Sequence, residues 1–212
     1  MKKAFPKTKV KIQEKLIKYF IITLEILAIS LIIYLISLPF YPIVKYKIIN
    51  LFKSNNSTEN NKNFNIASSF PESDYSISQN RIIISKIGVN APIIESKSPE
   101  YGLSKGSWLV PETSTPDKGG NTVITGHRFK YLPPNNLTFY LFHKLEIEDK
   151  ASVVWEDKIY NYSIKEIKIV PATELSIMNP TDEPIITLFT CDPIYSTKNR
   201  LVVIGGLIEE VN

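Results

Sequence analysis

The chain has 212 residues, 43% hydrophobic and 22% charged, which is typical of a folded protein with room for one domain and short attachments. The net charge of +4 comes from residues 1–18, which hold seven lysines and one glutamate; the slightly acidic remainder has no basic stripe for nucleic acid. The single cysteine, Cys191, excludes an intrachain disulfide, and the two histidines lack zinc-site spacing, so no metal or cofactor is predicted.

The first predicted element is a membrane-spanning helix. Tyr19–Leu38 contains one charge, Glu25, and its twenty residues match the ~30 Å hydrocarbon core of a bilayer. Thirteen of them are Leu, Ile or Phe. Each favours insertion by roughly 0.3–0.6 kcal/mol, which outweighs the cost of about 2.5–3.5 kcal/mol for one central charge. The lysines before the helix predict a cytoplasmic N-terminus, with the chain beyond residue 41 outside.

A cleaved signal peptide is the alternative for this segment. Such a peptide has an apolar region of about 7–15 residues and a small-x-small cleavage site. This run is longer and leaves through Ser37-Leu38-Pro39-Phe40-Tyr41, which has no such site. The sequence therefore predicts a retained anchor.

A linker and then a β-rich domain follow. Residues 54–63 hold no apolar side chain, which is typical of a linker. The predicted organisation is a basic cytoplasmic segment (1–18), a membrane helix (19–41), a linker (42–80) and a domain (81–212). Eight short runs rich in Ile, Val, Tyr and Thr are predicted strands: Arg81–Ile87, Ala91–Ile94, Ser107–Val110, Asn121–Thr125, Ala151–Trp155, Ile159–Val170, Ile185–Thr190 and Leu201–Ile208. Eight strands with few helices favour a closed barrel or a sandwich.

Smaller elements complete the predicted domain. Leu137–Lys144 is predicted to be a short helix, and a loop or one helical turn is expected between Pro171 and Pro180. Trp108 and Trp155 lie in apolar strands and are predicted to pack in the core.

Cys191 and Arg200 are predicted to face each other. By itself, a cysteine at the end of an apolar strand is more often a small buried hydrophobe than a nucleophile. A polar loop of eight residues follows, however, and Arg200 then opens an apolar strand. Antiparallel neighbours in register would bring the two Cβ atoms to roughly 4.5–5.5 Å. A guanidinium there would favour the thiolate and could donate to an oxyanion. The alternative for Arg200 is a solvated charge.

His127 is the candidate for proton transfer. It follows the strand Asn121–Thr125 and Gly126, which allows a close backbone approach. Histidine titrates in the range needed to protonate a leaving amine. The alternative is a half-buried histidine with a backbone partner. His143 is predicted to lie on the surface, apart from the site.

Taken together, these segments resemble the sortase family. Thr187-Leu188-Phe189-Thr190-Cys191 fits the family's Thr-Leu-x-Thr-Cys signature, and Thr125-Gly126-His127-Arg128 resembles its Gly-His element. Arg200 stands where the family has its arginine, and residues 81–93 look like the first strands of the domain. The resemblance covers about residues 81–209, in the family's order.

The resemblance implies an all-β, closed eight-stranded sortase-type barrel with short helices in loops, preceded by one transmembrane helix. It also implies a cysteine transpeptidase that cleaves a Leu-Pro-x-Thr-Gly-like sorting signal between Thr and Gly. Cys191 would attack the threonine carbonyl, His127 would protonate the leaving amine and deprotonate the incoming one, and Arg200 would hold the peptide and stabilise the oxyanion. Substrate contacts are expected from Thr125, Gly126 and Thr190.

The implied partners are proteins with a C-terminal sorting signal, together with an amine nucleophile from a peptidoglycan precursor or another protein. The implied location is the bacterial cell membrane, with the catalytic domain outside. No lid with an aspartate and an aromatic precedes Arg81, and Ala172–Pro184 is too short for the long helix of the iron-acquisition branch. A housekeeping type or class D or E is therefore expected, and no acidic cluster predicts a calcium site.

Two alternatives remain, and the second belongs to a different class of protein. Another cysteine enzyme is one, but a papain-like protease places its cysteine before its histidine, and neither the caspase Gln-Ala-Cys signature nor the Ser-His-Gly-Cys of L,D-transpeptidases is present. The other is a membrane-tethered barrel that binds peptide or wall polymer without chemistry. Thiol reactivity of Cys191 distinguishes it from an enzyme.

Overall fold

The computed structural model describes residues 7–54 and 80–211, in one unit that ends at Tyr41 and another that begins at Pro42. In the first unit, helix α1 covers Lys7–Ser37 and a single 3-10 turn follows at Leu38–Phe40. The stretch Lys15–Ile48 is long and apolar enough to cross a membrane, by length and composition. The predicted membrane segment thus falls on a helix of the right kind.

A second helix, α2, covers Tyr41–Ser54, where the sequence predicted the first part of the linker. Residues 55–79, which include most of the Asn-rich run, lie outside the described residues. The proposed domain limits therefore stay predictions.

All eight predicted strands are present and form a closed barrel, which confirms the predicted fold class. Their order around the barrel is β1-β2-β3-β4-β7-β8-β6-β5, and β5 pairs with β1 to close it. The bounds are β1 Arg81–Ile84, β2 Val89–Glu95, β3 Ser107–Leu109, β4 Asn121–Thr125, β5 Lys150–Trp155, β6 Lys158–Pro171, β7 Ile185–Asp192 and β8 Asn199–Val211.

Burial follows the position of each strand in the barrel. Residues of β1 and β2 alternate between buried and half-buried, as expected where one face of a strand meets the core. Every residue of β4 is buried, and β4 pairs in parallel with β7, the arrangement in which strands are usually covered on both faces. β4 is therefore a fully buried part of the barrel wall, and Gly126 and His127 follow it directly.

Two predicted elements differ in the structure. β1 ends at Ile84 because Ser85–Ile87 form a 3-10 turn, which closes on Gly88 with a left-handed φ of 69°. The predicted helix Leu137–Lys144 is wrong over most of its length, since only Phe142–Lys144 form a 3-10 turn. Phe139 and Phe142 instead stack with ring centroids 4.7 Å apart, and this contact favours a compact turn in the core.

Two other local predictions are confirmed, and one is not. The helical turn expected between Pro171 and Pro180 is present as Leu175–Met178. Trp155 is a core residue, 3% exposed, as predicted. For Trp108 the predicted core packing is wrong, because this residue is only half-buried. Its Nε1 donates to the carbonyl of Ser96, and its ring packs against a short helix that the sequence analysis missed, α3, Pro99–Lys105.

Candidate active site

Hydrogen bonds connect the ends of β4 and β7. Thr125 pairs with Phe189 in the parallel ladder, and its Oγ1 donates to the Phe189 carbonyl at 2.9 Å. Gly126 donates from its backbone N–H to the same carbonyl at 3.4 Å, while Thr190 Oγ1 donates to the Gly126 carbonyl at 2.8 Å. Because parallel strands point the same way, the residues that follow them emerge at the same edge of the sheet.

The register indicates where His127 and Cys191 lie relative to each other. Paired residues of β4 and β7 are offset by 64, and the ladder ends with Thr125 opposite Phe189. Continued for two residues, the same offset leads from His127 to Cys191. Because adjacent strands lie about 4.8 Å apart, we expect the two residues to be close together at the end of this pair.

Arg200 completes the group from the other side of Cys191. Cys191 and Arg200 are direct partners in the antiparallel β7–β8 ladder, which confirms the predicted pairing. Both residues are half-buried, and the cysteine is free. Arg200 Nη1 donates to the carbonyls of Thr197 and Asn199 at 2.9 and 3.0 Å. The loop between the two strands therefore fixes the guanidinium, and within the described residues it forms no ion pair.

His127 is half-buried, and its pKa is lowered below the ordinary value of 6.5. Burial is the larger cause, because it disfavours the charged imidazolium, and the positive charge of Lys130 adds to it. Since the fold favours the neutral form, protonating His127 as the pH falls below 6.5 costs folding free energy. At neutral pH the imidazole is therefore free to accept a proton.

Exchanging Lys130 for methionine is expected to raise the pKa of His127, because one of the two causes that lower it is removed. Lys144→Met is the matched control: Lys144 contributes to lowering the pKa of His143, after burial and Arg128. A pH titration of histidine-labelled full-length protein by NMR in detergent micelles measures both rings. Each variant should shift only its own histidine. A His127 pKa that does not change in Lys130→Met would contradict the electrostatic contribution of Lys130.

The three residues expected to contact substrate are buried at the ends of β4 and β7. Thr125 and Thr190 are 7% and 1% exposed, and both hydroxyls are occupied by the hydrogen bonds between the strands. A Cβ on Gly126 would lie 3.1 Å from the buried Phe139 ring, so a glycine suits the close approach there. A direct substrate contact from these residues stays a prediction.

Sequence reasoning missed two charged residues at the edge of the site, Arg128 and Asp192. The Arg128 side chain is buried, with Nη1 3.7 Å from Asp192 Oδ1 and Nη2 3.2 Å from His143 Nδ1. His143 is exposed, as predicted, yet this contact connects it to the site. No local pattern in the sequence marked these two residues, because their contact depends on the pairing of β4 with a strand 64 residues further along the chain.

The geometry gathers a thiol, an imidazole and a guanidinium at one end of the barrel wall. A thiolate is a nucleophile, an imidazole can carry its proton, and a fixed guanidinium can stabilise negative charge on a carbonyl oxygen under attack. Within the described part of the chain, no group of three or more His, Cys, Asp or Glu could hold a metal ion. Within this arrangement, the free Cys191 is the candidate nucleophile.

Comparison with known proteins identifies the family. The sortase domain model matches residues 82–208, which is more than half of the chain, and the chain belongs to the sortase family, whose members are cysteine transpeptidases. Sortase SrtE1 of Streptomyces coelicolor is 31% identical over 144 residues, covering 60% of this chain and 39% of that protein. The chain thus spans about two fifths of this relative, and its match to Listeria monocytogenes sortase A covers 38% of that protein.

Solved structures agree. Sortase E1 of Streptomyces coelicolor, determined with a tripeptide in its active site, superposes with a TM-score of 0.56 at 28% identity, covering 63% of this chain and 89% of that one. A class D5 sortase of Clostridium perfringens superposes with a TM-score of 0.54 at 30% identity, covering 62% of this chain and 79% of that one. Class D and E members are therefore among its relatives, which is consistent with the predicted resemblance.

Proposed function

We propose that the protein is a membrane-anchored sortase that cleaves a Leu-Pro-x-Thr-Gly-like sorting signal between Thr and Gly and transfers the acyl group to an amine. The observation that carries this is the pairing of Cys191 with Arg200 at the end of β7, beside the strand that leads to His127. Family membership supports the reaction type. The tripeptide held by the Streptomyces coelicolor relative supports a peptide substrate.

The proposed reaction has two halves. The neutral imidazole of His127 takes the proton of the Cys191 thiol, and the resulting thiolate attacks the threonine carbonyl carbon, forming a C–S bond. The negative oxygen of the tetrahedral intermediate is stabilised by Arg200. The C–N bond to glycine then breaks, and the departing amine takes a proton from His127. In the second half an amine gives its proton to His127 and attacks the thioester. A new amide forms and Cys191 leaves as thiolate.

The direct test is capture of the intermediate. Full-length protein in detergent is mixed with a panel of Leu-Pro-x-Thr-Gly-type peptides, and mass spectrometry is used to look for a thioester on Cys191. Added glycine should convert that adduct into a new amide. If peptides bind but neither cleavage nor an adduct is found for any of them, the chain is the non-catalytic peptide-binding barrel instead.

Arg200→Lys is expected to lower kcat/KM by roughly 10²–10³-fold although the positive charge is kept. The lysine ammonium is a single nitrogen, so it cannot hold the carbonyls of Thr197 and Asn199 while another nitrogen donates to the oxyanion, as a planar guanidinium can. Lys198→Ala, which removes an exposed cation from the same loop, is the control and should keep full activity. If Arg200→Lys were fully active, Arg200 would contribute only its positive charge and not its planar geometry.

For location, we propose a single-pass anchor with a cytoplasmic N-terminus and the barrel outside the cell membrane. The apolar stretch Lys15–Ile48 and the lysine excess before it support this topology. Protease added outside intact protoplasts is expected to cut beyond residue 60 and to leave residues 1–18 intact. Protection of the barrel, or recovery of a soluble form lacking residues 1–38, would contradict the topology.

A further inference from the structure

Arg128 is a buried charge that the reaction scheme does not use. It directly follows His127, yet its side chain is only 7% exposed, whereas arginine is rarely buried without a compensating partner. Among the described residues its Nε and Nη1 lie buried without a hydrogen-bond partner. A guanidinium held this way carries a desolvation cost, so the contacts that offset it indicate why it is there.

The contacts of Arg128 join the two halves of the site. Its nearest charge is the Asp192 carboxylate, with Oδ1 3.7 Å from Nη1, and Asp192 directly follows Cys191 and ends β7. Nη2 lies 3.2 Å from His143 Nδ1, on the turn behind the site. The backbone of Arg128 continues from His127. One side chain therefore couples the segment that holds the imidazole to the segment that holds the thiol.

The contact between Arg128 and Asp192 is also an electrostatic interaction between opposite charges. Asp192 directly follows Cys191 in β7, and two negative charges that come close together repel each other. Burial lowers the pKa of Arg128, and the nearby negative charge of Asp192 is the largest of the causes that oppose this lowering. Arginine stays protonated in proteins, so the positive charge is permanent.

We propose that Arg128 is a positioning residue of the site: it neutralises Asp192 beside the Cys191 thiolate and holds His127 in register with Cys191. Arg200 pairs with Cys191 across the antiparallel ladder, and Arg128 forms its ion pair with the residue that follows Cys191. The proposal rests on the proposed function for its catalytic consequence, but its electrostatic part concerns Cys191 alone.

The test uses the full-length protein and two separate readouts. The first is the rate of Cys191 alkylation by iodoacetamide between pH 6 and 9, which needs no peptide substrate and reports the only cysteine of the chain. Arg128→Met should slow alkylation at neutral pH about tenfold, because the Asp192 charge is no longer compensated. Asp192→Asn in the same chain should restore the rate, since it removes the charge that Arg128 opposes.

The double variant also guards against simple unfolding, because Arg128→Met with Asp192→Asn leaves no lone buried charge. Lys165→Met, which removes the exposed ion pair with Glu148, is the control for loss of a cation and should match the wild type. If Arg128→Met lowers the melting temperature but leaves the pH profile of alkylation unchanged, Arg128 is merely structural. If Asp192→Asn fails to restore a slowed rate, the compensation is also refuted.

The second readout is peptide transfer, which tests the positioning of His127. Arg128→Lys keeps the charge but cannot reach Asp192 and His143 together. It should alkylate at close to the wild-type rate and yet show a lower kcat with little change in KM. Equal kcat in both proteins would overturn the positioning role. If the wild type transfers no peptide, the proposed function fails, and the alkylation cycle still decides the electrostatic part.

Discussion

Cys191→Ala is expected to abolish peptide cleavage and transfer altogether, because no thioacyl intermediate can form without the sulfur. The side chain is small and half-buried, so folding should be little affected, and circular dichroism with thermal melting checks this. The assay is release of a quenched fluorophore from the peptide panel in the presence of glycine. Residual cleavage by Cys191→Ala at the wild-type rate would mean that the chain is not a cysteine enzyme.

Thr187→Val is the matched control for this loss. Thr187 lies on the same strand, four residues before Cys191, and its buried hydroxyl has no hydrogen-bond partner among the described residues. Valine has nearly the same shape, and replacing an unsatisfied hydroxyl removes a desolvation cost. Activity should be unchanged and stability equal or higher, so a shared loss in both variants would point to a damaged strand, not to lost chemistry.

His127→Ala is expected to lower kcat by roughly 10²–10⁴-fold, the usual contribution of general acid–base catalysis. The leaving glycine amine then has only water as its proton donor. Because His127 is half-buried at the edge of the sheet, added imidazole should restore part of the activity. Single-turnover measurements locate the loss: formation of the thioester should slow, while alkylation of Cys191 continues.

His143→Ala is the comparison, and a modest loss is expected from it, because His143 touches Arg128 and no reacting atom is assigned to it. Equal losses in the two histidine variants would contradict the assignment of proton transfer to His127. If His127→Ala turned over at the wild-type rate, His127 would have no part in proton transfer.

The parts that the sequence predicted well are those fixed by local spacing. Alternating and continuous apolar runs located all eight strands, and the polar loop after Cys191 was short enough to imply its pairing with Arg200. Asn121–Thr125 was predicted with its observed bounds because β4 is buried on both faces and reads as an unbroken strand.

The parts that could not be predicted depend on distant contacts or on unusual burial. The parallel pairing of β4 with β7 joins residues 64 apart, and no local pattern specifies which strands become neighbours. Arg128 was quoted as part of a motif but given no role, because arginine is usually exposed and its burial is decided by the packing around it. Helix α3 was missed although Ser98-Pro99 is a helix-start signal, since the helix has only seven residues and contains Gly102.

The order of the strands along the chain also bears on how the site assembles. Cys191 and Arg200 belong to a hairpin with a short loop, since β7 ends at Asp192 and β8 begins at Asn199. β4, which leads to His127, pairs instead with a strand whose partner residues lie 64 positions further along the chain. Because contacts between residues close in sequence form before distant ones, Cys191 is expected to meet Arg200 first and His127 last.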